Sequence, residues 1–130
     1  MQWCQANNKP VPQFTLYPRF KGFIATVKSL RHTRHVKAVY DVTIAYAHGY
    51  QFMSPPSILE TLYNPNLDQS WRMHAHVTRY DLSTLPDSDE DLSKWLETRW
   101  MEKNKKLEDL RARLVRGEDW NDDSNHGKHD

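Results

Sequence analysis

In the stretch LYPRFKGFIATV, Leu16 to Val27, Arg19 and Lys21 follow a proline and lead into Gly22 and an apolar run. A helix starting there offers unpaired backbone N–H groups and a partial positive charge, which favour an anion. Arg19 can add a two-pronged grip on a phosphate and Lys21 a mobile point charge, while Gly22 lets a ligand approach the backbone. The chemistry on offer is anion binding. The same residues also make an ordinary soluble turn, so the motif alone names no ligand.

Other reactive side chains are weaker candidates. His76 and Asp81 have four residues between them, the spacing of a general base with an orienting acid. In a strand, however, positions five apart point to opposite faces. With seven His and eleven Asp in the chain, chance supplies about 0.6 such pairs. The pair is therefore rejected as catalytic. His74 and His76 share a strand face, but spacing places no third metal ligand beside them, and no metal site is expected. Cys4 is the only cysteine. It excludes an internal disulfide, and no neighbouring His or acid activates it as a nucleophile.

The charge distribution says more than its total of +1. Residues 1 to 40 carry seven Lys or Arg and no acid, and the other ninety carry eleven against seventeen acids. A segment of one sign draws phosphates of lipid or nucleic acid, or is balanced inside the fold by the acidic part. No recognisable reading motif accompanies it, so no nucleic-acid partner is expected. No run approaches the eighteen apolar residues of a membrane span, and the first thirty residues lack a signal-peptide core. The chain reads as cytoplasmic or peripheral.

These groups must be positioned by an α/β fold. Met1 to Val11 shows no cap to open a helix. Gln13 to Tyr17 fits a short strand stopped by Pro18, and Gly22 to Arg31 has apolar residues at helical spacing. Val36 to Tyr46 alternates: Val36, Ala38, Tyr40, Val42, Ile44 and Tyr46 read as the core face, and Lys37, Val39, Asp41, Thr43 and Ala45 as the mixed face. Gly49 to Leu67 is an irregular connection with a helical turn at Ile58 to Tyr63. Trp71 to Tyr80 is a second strand. A long helix runs from Ser88 to Arg116, with an approximate capping box at Ser88 and Asp91 and a stop at Gly117. Its stripe of Leu92, Leu96, Trp100, Leu107, Leu110 and Leu114, broken by Lys103, is expected to dock on the sheet. The tryptophans at 71, 95, 100 and 120 are expected in packing rather than at a membrane interface.

Four segments in order, LYPRFKGFIATVKSLR, VKAVYDVTIAY, WRMHAHVTRYDLSTLP and EDLSKWLETRWMEKNKKLEDL, resemble the second half of the glycerophospholipid (PlsC-type) acyltransferases. The likeness is to the branch of lysophosphatidate and lysocardiolipin acyltransferases, fungal members in particular, and covers about residues 3 to 116. The resemblance implies a partial acyltransferase sheet-and-helix fold with a long C-terminal helix. Residues 1–50 would be a remnant of the acyltransferase core, 51–117 the C-terminal accessory domain and 118–130 a disordered acidic tail. PRFKGF looks like the Lys-Gly turn that follows the family's glycerol-phosphate motif, placing Arg19, Lys21 and Gly22 near an anionic headgroup. Phe20 stands where the family pattern has threonine.

The family transfers an acyl group from acyl-CoA, its co-substrate, to a lysophospholipid hydroxyl, without a further cofactor. Its general base is a His four residues before an Asp, upstream of the Lys-Gly turn. That motif, and any N-terminal membrane segment, would precede Met1. The expectation is therefore a truncated portion, inactive alone, with no catalytic residue of its own. Its parent would sit at the endoplasmic reticulum or mitochondrial membrane, and its sheet would be incomplete, leaving an apolar face for another acyltransferase chain. The alternative is a non-catalytic module binding anionic membrane or a partner acyltransferase.

Overall fold

The computed structural model describes residues 2–9 and 11–120; most of the expected acidic tail lies outside the described residues. The elements are α1 (Gln2–Ala6), α2 (Phe20–Arg31), β1 (Ala38–His48), β2 (Gln51–Phe52), α3 (Ile58–Tyr63), β3 (Trp71–Asp81) and α4 (Asp89–Val115). The strands form an antiparallel sheet in the order β2-β1-β3. The α/β class and the long C-terminal helix stand.

Two compact units divide the chain: residues 2–42 with 77–106, and 43–76 with 107–120. The first has its core at Val27, Leu82, Leu85 and Leu92, against which Phe23, Ile24, Val39, Tyr80 and Trp95 pack. In it Trp95 stacks on Phe23, with centroids 5.8 Å apart, and meets Tyr80 edge-on at 5.2 Å. In the second unit the buried residues include Ala45, Ala47, Trp71, Leu107, Leu110, Leu114 and Trp120. Trp71 donates to the Ser54 carbonyl at 3.0 Å and Trp120 to that of Leu110 at 2.9 Å. The tryptophans thus serve packing, and those at 71 and 120 find a partner for their N–H.

Helix α4 follows its local signals. Asp91 N–H donates to Ser88 Oγ at 3.1 Å, satisfying one free N–H group of the first turn. At the far end Gly117 takes φ 72°. Its N–H bonds to the Leu114 carbonyl at 3.1 Å and that of Glu118 to the Arg113 carbonyl at 2.9 Å. This is the paired closure that favours glycine in the left-handed conformation.

Three expectations need correction. Residues 2–6 do form a short helix, α1. Gln13 to Tyr17 is not a strand. Its backbone is held by side chains of α4: Asn104 Oδ1 accepts from Gln13 N and Phe14 N at 2.8 and 3.0 Å, and Trp100 Nε1 donates to the Leu16 carbonyl at 2.8 Å. Backbone groups satisfied in this way need no neighbouring strand. The third correction concerns β1. Thr43, Ala45 and Ala47 are buried, while Tyr40, Val42 and Ile44 are 62%, 45% and 47% exposed. The less apolar face of the strand is the covered one: its residues 43, 45 and 47 are small and buried, and Asp41 finds a cation in Lys103.

Candidate functional site

Helix α2 starts earlier than its apolar spacing indicates. Arg19 is the N-cap residue, extended at φ −94° and ψ 107°, and its side chain makes no capping bond. Lys21 and Gly22 occupy the first turn, which contains no acid. Each choice disfavours the helix: the two cations meet its positive end, and glycine costs backbone entropy. Gly22 has no structural need to be glycine, since an added Cβ would meet nothing within 4 Å and its φ is not positive.

The other cations of the basic segment divide into two groups. Lys28 pairs with Asp89, Arg31 with Asp87, and Lys9 with Glu97 at 3.5 Å. Arg31 also donates to the carbonyls of Leu85 and Pro86 at 3.0 and 2.8 Å. Balance within the fold therefore accounts for these three. Arg19, Lys21, Arg34 and Lys37 make no side-chain hydrogen bond or ion pair with any described residue.

Arg19 borders a groove of about 470 Å³ within the first unit. Phe23, Val39, Trp95 and Leu96 supply apolar wall, and Arg99, Trp100 and Lys103 continue it along α4. Arg99 lies 5.3 and 5.5 Å from the ring centroids of Tyr80 and Trp95 and donates to Tyr80 Oη at 3.1 Å. Its Nη2 meets Glu102 at 3.0 Å, and its Nε is buried without a hydrogen-bond partner. Lys103, the break in the leucine stripe, is buried. It pairs with Asp41 and donates to the Val42 carbonyl at 2.7 Å.

Three cations against one carboxylate, on mostly apolar walls, suit an amphiphile with an anionic end. Of the three sequence-predicted residues, Arg19 reaches this groove; Lys21 and Gly22 do not line it. Arg99 and Lys103 were missed as groove residues, although Leu96, Arg99, Trp100 and Lys103 share one helical face by spacing. Tyr17, which precedes the groove residue Pro18, is pushed up to about 12, by burial first and then by the neighbouring Glu97 carboxylate.

His76 and Asp81 lie on the uninterrupted strand β3 and so point to opposite faces. Asp81 accepts from Arg79 at 2.5 Å. Among the described residues, no group of three or more His, Cys, Asp or Glu could hold a metal ion. Cys4 is a free thiol, buried. No helix of the described residues is long and apolar enough to cross a membrane.

Residues 66–113 match the family described as acyltransferase C-terminus. The chain carries the C-terminal region of the glycerophospholipid acyltransferases. It is 35% identical over 95 residues to lysocardiolipin acyltransferase 1 of Gallus gallus, a match covering 73% of this chain and 23% of that protein. Against lysophosphatidylinositol acyltransferase 10 of Caenorhabditis elegans identity is 30% over 97 residues, 75% of this chain and 23% of the relative. Against 1-acyl-sn-glycerol-3-phosphate acyltransferase 2 of Brassica oleracea it is 28% over 107 residues, 82% of this chain and 25% of the relative. These matches span about a quarter of the length of the relatives. No solved structure gives a significant match.

Proposed function

We propose that this acyltransferase region forms the acceptor-lipid side of an acyl-CoA-dependent 1-acylglycerol-3-phosphate O-acyltransferase and does not turn over by itself. The observation that carries this reading is the start of α2. There three locally unfavourable choices, Arg19, Lys21 and Gly22, stand together with no partner among the described residues. Local choices that work against their own helix are expected where function needs them. Arg19 and Lys21 hold the headgroup phosphate, Gly22 keeps the backbone N–H groups open to it, and the groove beside Arg19 takes the adjoining apolar part of the lipid.

The reaction removes a proton from the acceptor hydroxyl as its oxygen attacks the thioester carbonyl, and the CoA thiolate leaves. The base for that step comes from polypeptide corresponding to the rest of the relatives. The exposed residues Tyr40, Val42 and Ile44 of β1 are the surface on which such a polypeptide, or another acyltransferase chain, pairs.

Titration of the chain with lysophosphatidate below its micelle concentration tests this reading. Binding should exceed that of lysophosphatidylcholine and fall about tenfold when Arg19 and Lys21 are both replaced by Ala. Equal binding of the two lipids, or no change in the double variant, overturns it. Release of free CoA thiol by this chain from acyl-CoA and lysophosphatidate would overturn its dependence on a further polypeptide.

The four unpaired cations favour one alternative, a non-catalytic module held on anionic membrane. It predicts salt-dependent binding to anionic vesicles that needs Arg34 and Lys37 as much as Arg19 and Lys21.

A further inference from the structure

Helix α3 lies in the second unit and buries no residue. Ile58, Leu59, Leu62 and Tyr63 are 79%, 64%, 72% and 82% exposed. At 100° per residue they occupy an arc of about 140°, with Glu60 and Thr61 on the other side. Six residues with so little packing should fray, since short helices are marginal in water. The chain holds this one by local means. Ser57 and Glu60 form a reciprocal capping box: Ser57 N–H donates to Glu60 Oε2 at 2.6 Å and Glu60 N–H to Ser57 Oγ at 3.2 Å. Thr61 Oγ1 donates to the Ser57 carbonyl at 2.9 Å. Pro55, Pro56 and Pro65 stiffen both approaches.

The structure assigns α3 to insertion into the interfacial layer of a lipid bilayer, apolar arc inward, as the element that brings this unit to the membrane. The assignment rests on the lipid-acyltransferase reading above, since an enzyme acting on lysophospholipids must meet their bilayer. Three observations favour a bilayer over a protein partner. Glu60 and Thr61, on the polar side of the helix, are already bonded to Ser57, so within the arc the Tyr63 hydroxyl is the one polar side-chain group that must be accommodated. From Thr43 to Ser70 the chain has no Lys or Arg, and Glu60 is the single charge on the helix. Tyr63 closes the arc with an aromatic body and a polar tip, which suits the headgroup level. Such insertion depends on apolar area and little on salt, unlike attachment through the basic segment.

Flotation of the full chain with phosphatidylcholine vesicles tests the assignment, at about 0.05 M and about 0.5 M salt. Partitioning should be similar at both salt levels and fall about tenfold or more in L59E/L62E. The circular dichroism of that variant should be unchanged, since both side chains are mostly exposed. S57A, which removes the box's side-chain acceptor and leaves the arc, should bind less than the wild type and more than L59E/L62E. Binding only to vesicles containing phosphatidylserine, with loss at high salt, overturns the proposal. So does neutral-vesicle binding that L59E/L62E leaves intact, or a change in that variant from oligomer to monomer without any vesicle binding in the wild type, which assigns the arc to another copy of the chain. Lysophosphatidate titration run in parallel separates the two readings: lipid bound in solution without flotation removes the role of α3 alone, and failure of both removes the acceptor-lipid reading as well.

Discussion

Lys103 of α4 reaches the inward face of β1, where it pairs with Asp41 and donates to the Val42 carbonyl at 2.7 Å. Both charged side chains are largely buried, with 10% and 16% of their surfaces exposed. The pair fixes where α4 lies along the strand in this unit, because a shift by one turn would leave both charges without partners. Removing one partner leaves the other charge buried and uncompensated. Asp41→Ala or Lys103→Ala should therefore cost about 3–5 kcal/mol, and D41L/K103M about nothing or less than nothing. Urea denaturation of the three variants checks this; an additive double variant would show that the two charges act independently.

The exposed face of β1 predicts a solubility effect. Val42→Lys and Ile44→Lys should leave the free energy of unfolding within about 0.5 kcal/mol and reduce self-association measured by light scattering. Ala45→Leu, on the covered face of the same strand, should cost about 1–3 kcal/mol by overpacking.

Substitutions at the start of α2 should separate stability from binding. Lys21→Ala removes a cation from the positive helix end and should stabilise by about 0.3–1 kcal/mol, and Gly22→Ala by about 0.5–1 kcal/mol. Both should weaken lysophosphatidate binding. Thermal denaturation and lipid titration on the same samples read the two opposite signs.

Tyr17 gives a pH dependence. Its folded value of about 12 lies above the ordinary 10.0. The associated stability is fully present below about pH 10 and is lost as pH rises through about 12, because the unfolded chain releases the phenolic proton first. Absorbance of phenolate against pH should show one tyrosine titrating late, and Glu97→Gln should move it earlier by removing the neighbouring charge.

Gly117 supplies a backbone test. At φ 72°, Gly117→Ala puts a Cβ into the left-handed conformation and should cost about 1–2 kcal/mol, with the final turn of α4 losing amide protection in hydrogen exchange.

Local sequence determined most of the elements. Apolar spacing marks α2, α4, β1 and β3, and the Ser88 cap and Gly117 mark the ends of α4, because these signals act between residues a few positions apart. The order of four segments carried the family. Other features depended on what comes near in space. Periodicity shows that β1 has two faces but not which is covered, and Lys103 in a leucine stripe reads as an interruption until Asp41 is seen opposite it. Gln13 to Tyr17 has strand-like residues, yet Asn104 and Trp100, some ninety positions away, take its hydrogen bonds. Composition alone could not separate Lys28 and Arg31, neutralised within the fold, from Arg19 and Lys21, which pair with no described residue. Burial, ion pairing and the satisfaction of backbone groups are set by contacts between distant residues, and those the tertiary structure alone decided.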